Sequence, residues 1–229
     1  HECSSAASDV YKRQFMNEFV ESEPWFAGWC SVMVNLSDIV AMGGRGLAMT
    51  NAIWAPDKVY AEKILSGMRE ASETYNIPIV GGHTNLKTDR PQLAATILGK
   101  ANVLITSFDA SPGQVLVVIS DQRGSYVGES KNFASFIGVN PKRLQKDNEI
   151  LPALAEKKLI SSGKDISQGG IIGTSIMLAE SSGVGIDIDP LALKCPDDNL
   201  EKWMTAFPSF GFLLSVNEKN LSFHLRKVR

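Results

Sequence analysis

The stretch Asn35-Leu36-Ser37-Asp38-Ile39-Val40-Ala41-Met42-Gly43-Gly44 decides how the rest of the chain is read. It closes a longer run, Trp25 to Met42, whose apolar residues recur at Trp29, Val32/Met33, Leu36 and Ile39/Val40. That spacing of three to four predicts a helix, and Gly43-Gly44 supplies its stop. A carboxylate and a carboxamide sit inside the apolar pattern. Asn35, Asp38 and Met42 (i, i+3, i+7) share a face. A buried charge without a partner is costly, so Asp38 calls for a cation or a ligand's donors. A solvated polar edge or an intrahelical hydrogen bond would serve as well.

Downstream, Leu47–Trp54 is short, apolar and strand-like, and Pro56-Asp57 opens a second helix that runs to Tyr75. Its apolar stripe is Val59, Ile64/Leu65, Met68 and Ala71, and Asn76 closes it. Ile77–Val80 reads as a buried strand that runs into Gly81-Gly82-His83-Thr84. Paired glycines let backbone approach a ligand closely and can expose amides as an anion nest, with His83 and Thr84 adding donors. The alternative is a tight strand-exit turn with a surface histidine. Leu93–Leu98 is another strand.

After the turn Ser111-Pro112-Gly113, Gln114–Ser120 reads as a buried strand, which puts a domain boundary near residue 110. Pro141–Lys158 is helical, with Pro152 expected to separate two pieces. Lys164-Asp165-Ile166-Ser167-Gln168-Gly169-Gly170 is a polar turn before a helix over Ile171–Ser182, with Ile172, Ile176 and Ala179 on one face. Asp165 and Gln168 offer oxygens to a hard cation such as Mg²⁺, Ser167 could cap the helix, and the helix N-terminus suits phosphate. Capping alone is the plainer alternative. Val184–Ile188 and Ser209–Val216 complete the set of strands. Strands alternating with helices predict a mixed α/β layer architecture.

Composition sets the bounds. The chain has 229 residues, 44% hydrophobic and 21% charged, near the averages of globular proteins. Its net charge is 23 − 25 = −2, so there is no global basic field for nucleic acid or a membrane surface. No apolar run approaches the ~20 residues of a membrane helix. Cys3, Cys30 and Cys195 are too few for a disulfide framework, which points to the cytoplasm. The P-loop, Rossmann and G-x-S-x-G signatures are absent. Residues 1–14 lack a clear period, and Ser4–Gln14 resembles translated library-adapter sequence. They are set aside as a non-native leader, and truncation is expected at both ends.

Three motifs in this order resemble the superfamily of aminoimidazole ribonucleotide synthetase, which includes thiamine-monophosphate kinase, selenophosphate synthetase and a hydrogenase maturation factor. Asn35–Gly44 is similar to its N-x-SD-[IL]-AAMG-[AG] helix. Val80–Thr84 is similar to its VGGDT or VGGHS strand exit. Lys164–Gly170 is similar to its D-[IV]-[ST]-D-G-[GL] turn. The resemblance spans about Phe15 to Val216. It is nearest to an uncharacterised subgroup related to AIR synthase that carries runs like Trp25–Cys30 and Phe207–Phe212.

The resemblance implies a PurM-like fold of two domains, here 15–109 and 110–229, the first pairing as a dimeric β-barrel in a homodimer. It implies ATP and Mg²⁺ as cofactors and phosphoryl transfer to a small-molecule substrate. Asp38 and Asp165 would be metal ligands. Gly81, Gly82, His83, Thr84 and Ser167 would face the nucleotide, and Asp165 and His83 would be catalytic. Two departures stand out: His83 where the kinases carry Asp, and Gln168 where many relatives carry a second Asp. The family's early acidic G-D-D segment is also missing. A degenerate nucleotide-binding or scaffold protein of the same fold, and an unrelated small-molecule-binding α/β protein, are the rival readings.

Overall fold

The computed structural model describes residues 8–128 and 130–224. The chain forms two compact units. The first comprises described residues up to Val40, then Gly44–Asn102 and Asn140–Ile150. The second comprises Ala41–Gly43, Val103–Val139 and described residues from Leu151 onward. The main crossing therefore falls at Asn102/Val103, and a helical segment beyond it belongs to the first unit.

The first unit contains β1 (Ser8–Gln14), α1 (Asn17–Ser22), α2 (Pro24–Ala41), β2 (Gly44–Trp54), α3 (Lys58–Tyr75), β3 (Ile79–Asn85), β4 (Gln92–Ala101) and, later in the chain, α4 (Pro141–Asn148). Its sheet is open, in the order β1-β4-β2-β3, so β1 and β3 are the edges. β1 and β2 run antiparallel to β4, and β2 and β3 are parallel. A parallel pair needs a long crossover, and α3 supplies it. The sequence fixes both ends of α3. The Asp57 carboxylate accepts from the Tyr60 amide at 2.7 Å, and Asn76 takes the left-handed conformation at φ 55°. The Ile77 amide then donates to the Ser72 carbonyl at 3.0 Å.

One face of this sheet is closed by Met49, Ile53, Leu93, Ala95 and Ile97, all buried. The other face carries the in-register pairs Thr50/Thr96, Ala52/Ala94 and Trp54/Gln92. α2 is buried around nearly its whole circumference, with Ala27 to Leu36 and Asp38 to Ala41 inside. It meets α3 at two glycines. A Cβ at Gly28 would fall on the Ile64 carbonyl, and one at Gly67 on the Trp25 carbonyl. The two helix backbones are therefore in direct contact, closer than any side chain would allow.

The second unit contains β5 (Val115–Ser120), β6 (Ser125–Tyr126), β7 (Asn132–Ala134), α5 (Ile150–Glu156, its first residue in the first unit), β8 (Ser162–Asp165), α6 (Gly170–Ser182), α7 (Leu200–Met204), β9 (Phe207–Pro208), β10 (Gly211–Val216) and α8 (Glu218–His224). β10 is the centre of a three-stranded sheet, antiparallel to β5 and β8. The short strands β6, β7 and β9 form a second sheet. The core joins Leu213, Ile166, Ile171 and Leu178 to Phe133 and Trp203, whose rings meet edge-on at 5.2 Å.

Several expectations are corrected. Residues 8–14, excluded from the reading of the fold, form β1; residues 1–7 lie outside the described residues. Val80 is 66% exposed rather than buried, because β3 is an edge strand. β5 is likewise an edge and only half-buried. Val59 is exposed, and the buried face of α3 is Ala61, Ile64, Gly67, Met68, Ala71 and Tyr75. Ile172 and Ile176 face outward, while Ile171, Thr174, Ser175 and Leu178 face the core. Val184–Ile188 forms no strand. The break expected at Pro152 comes at Glu149. Pro152 itself sits in the first turn of α5, where its missing amide costs nothing.

Candidate functional site

In the first unit, α2 carries its polar residues into the interior. Asn35 is 0% exposed and Asp38 2%. The Asn35 amide donates to the Ser31 carbonyl at 2.7 Å, and the Ser31 hydroxyl to the Gly28 carbonyl at 2.7 Å. The expected intrahelical bond thus exists for Asn35, but it uses only the amide. Asn35 Oδ1 is buried with no hydrogen-bond partner. The solvated-edge alternative is excluded for both residues by their burial. A buried acceptor without a donor is costly, and a buried carboxylate beside it makes this stretch of α2 acceptor-rich.

Gly81-Gly82-His83-Thr84 is a strand, not a turn. Neither Gly81 nor Gly82 has a positive φ, so the alternating conformation of an anion nest is absent. What the glycines provide is access. All four residues are exposed on the edge strand, and edge strands leave backbone groups unpaired along one side. His83 stands beside Ala52, and Gly82 beside Asn51. A Cβ at Gly82 would lie 2.7 Å from Asn51 Oδ1, so the Asn51 carboxamide occupies the space a side chain there would need. The sequence reading missed Asn51. The signal was a carboxamide inside a strand read as apolar.

In the second unit, Lys164 and Asp165 end β8 instead of lying in a turn. Asp165 is 5% exposed, and Lys164 Nζ lies 3.2 Å from its Oδ1. Ser167 does not cap α6. The cap position is Gly169, without a side-chain bond, and the Ser167 amide donates to Thr174 Oγ1 at 3.3 Å. Gln168 is exposed. Asp121, also missed, is 6% exposed and accepts from the Arg123 amide at 3.0 Å and from its guanidinium at 2.8 Å. By register, Asp121 and Asp165 lie on one face of the sheet with β10 between them.

Among the described residues no three His, Cys, Asp or Glu side chains cluster as a metal cage. The donors do suit Mg²⁺ held mostly by phosphates. That ion takes hard oxygens and commonly needs only one or two carboxylates from the protein. Asp38, with the orphaned Asn35 Oδ1 one helical turn away, supplies such oxygens in the first unit. Asp165 supplies one in the second.

Comparison with known proteins shows the family. The chain matches the AIR synthase related protein N-terminal domain over residues 5–101 and the corresponding C-terminal domain over 111–225. It is 46% identical over 204 residues to an uncharacterised protein of Synechocystis, covering 86% of this chain and 62% of that one. It is 27% identical to the selenide, water dikinase of Myxococcus xanthus, covering 92% of this chain and 61% of the relative. The chain thus spans about three-fifths of the length of these relatives. The structure of Thermotoga maritima PurL complexed with ATP superposes with a TM-score of 0.79 at 17% identity, over 96% of this chain and 37% of that one. An unrelated small-molecule-binding α/β protein is thereby ruled out. The two units have the mixed α/β, PurM-like fold, and the chain belongs to the AIR synthase related family.

Proposed function

We propose that the intact protein is an ATP-dependent phosphoryl-transfer enzyme that activates a small metabolite with Mg-ATP. The observation that carries this reading is Asn35 Oδ1, a buried acceptor without a hydrogen-bond partner one helical turn from the buried Asp38. The family membership and the ATP complex of PurL support it. Asp38 in the first unit and Asp165 in the second would each offer a carboxylate to a nucleotide-bound Mg²⁺, which when bound would neutralise charge on the phosphates. Gly81, Gly82 and Thr84 bring exposed backbone to the nucleotide, and Ser167 lies on the turn below Asp165. Neutral His83 is a poor Mg²⁺ ligand but can donate to a phosphate oxygen.

The protein acts as a homodimer in this reading, the outward sheet faces of two copies closing a barrel. Leu47 and Leu98 are 49% and 39% exposed, an apolar cost that a second sheet would remove. Sedimentation of the intact protein as a monomer would break that part of the proposal.

The test of function is Mg-ATP binding by the intact protein, with loss expected in Asp38→Ala and Asp165→Ala. Unchanged affinity in both sinks the assignment of the metal ligands. The second reading, a nucleotide-binding scaffold that has lost catalysis, draws on the exposed Gln168 and on His83 in place of a carboxylate. Steady ADP formation with any acceptor refutes it.

A further inference from the structure

We propose that Lys164 is a positioning residue of the Asp165 site. It holds the place of a cation on that carboxylate until a phosphate-bearing ligand arrives. The inference rests on the phosphoryl-transfer reading and deepens it. Lys164 and Asp165 are neighbours in β8, so their side chains leave the strand on opposite faces. The register agrees: Lys164 is aligned with Leu213, which belongs to the core on the α6 side, and Asp165 with Phe212 on the other face. A lysine on such a strand would ordinarily run out to water. Here the ammonium comes back to within 3.2 Å of Asp165 Oδ1, and its side chain is only 25% exposed. Holding a four-carbon stem in that geometry costs rotamer entropy. A neutralising contact with a buried carboxylate offsets it.

The charge count gives the consequence. Asp165 and Asp121, on one face of the sheet, contribute −2, their partners Lys164 and Arg123 contribute +2, and Gln168 adds none, so a bare divalent cation meets side chains that already balance one another. A cation that arrives with phosphates is different. The ammonium has three donors on a flexible stem and can pass from a carboxylate oxygen to a phosphate oxygen. Asp165 is then released toward the metal, and no buried charge is left unpaired. Lys164 thus makes metal entry at Asp165 conditional on the polyphosphate.

The experiment uses the intact protein, Mn²⁺ as an EPR-visible stand-in for Mg²⁺, and tripolyphosphate as the anionic probe. Lys164→Met should tighten nucleotide-free Mn²⁺ binding about tenfold and weaken tripolyphosphate about tenfold. Adding Asp165→Asn should cancel the Mn²⁺ gain. Lys164→Arg should restore the tripolyphosphate affinity while keeping Mn²⁺ weak. Lys164→Gln gives the same comparison if the methionine variant does not fold. Both affinities staying within twofold of wild type overturns the inference alone. Failure of the wild type to bind either Mg-ATP or tripolyphosphate overturns it together with the proposed function.

Discussion

The two units handle the same problem, exposing chemistry without losing a core, in opposite ways. The first hides its carboxylate. Asp38 lies inside α2, a helix buried on nearly all sides, while the exposed Gly81-Gly82-His83-Thr84 run lies on the edge strand β3. The second places Asp165 on a strand and keeps it satisfied with a lysine side chain. In the first unit, packing does the positioning, with the backbones of α2 and α3 in direct contact. In the second, an ion pair does it, and the arrangement can exchange partners. The cysteines follow the same contrast. Burial pushes the Cys30 thiol in α2 up to about 12, whereas Cys195 is half-buried and donates to the Asp197 carbonyl at 2.6 Å.

The sharpest break of this comparison is alkaline. The folded state holds the Cys30 proton, and the unfolded state releases it near the ordinary thiol value of 9.0. Stability is therefore intact below about pH 9 and falls as pH rises toward 12. The loss approaches about 4 kcal/mol at the top of that window. Burial also raises the Tyr75 phenol, which adds in the same direction. Urea melts across that range should show a shallower slope for Cys30→Ala.

Next in size is Gly67→Val. Its side chain would fall on the Trp25 carbonyl, so α2 and α3 must separate, at a cost of about 3 kcal/mol in urea denaturation. Gly185→Ala, which meets nothing within 4 Å, is the control and should stay within about 0.5 kcal/mol. Gly82→Ala should cost about 1 kcal/mol, because its Cβ presses on a side chain that can turn away, and should displace the Asn51 carboxamide. Its larger readout is nucleotide affinity, expected to fall about tenfold by calorimetry. Ser167→Ala closes the series within about 0.5 kcal/mol, since that side chain caps no helix. A large loss there would show that the turn in the second unit is positioned by packing too.

What the sequence shows and what it withholds divide along physical lines. α3 is legible to the residue because Asp57 and Asn76 act locally, through a cap and a left-handed turn. Burial of strands is not, because it depends on which strand ends at an edge. Val80 has a core residue's chemistry and an edge strand's exposure. The buried face of α6 is not legible, because apolar residues occupy two sides and only the packing selects Ile171 and Leu178 over Ile172 and Ile176. β1 shows no alternation that would mark it. The contacts Asn51–Gly82 and Lys164–Asp165 depend on register and rotamer, which no spacing rule encodes.

The helix α4 has a consequence for how the protein is made. It packs on α3, where Gln145 donates to the Thr74 carbonyl at 2.8 Å across 71 positions, and Glu149 pairs with Arg45 across 104. On a ribosome adding roughly 5–20 residues per second, α3 therefore emerges several seconds before the helix that covers it. During that interval the strands of the second unit begin to appear while the first still lacks a helix. A nascent chain paused between residues 102 and 140 would present that uncovered flank of α3 to chaperones, and the window closes only with translation of a segment that sequence order assigns to the other half of the protein.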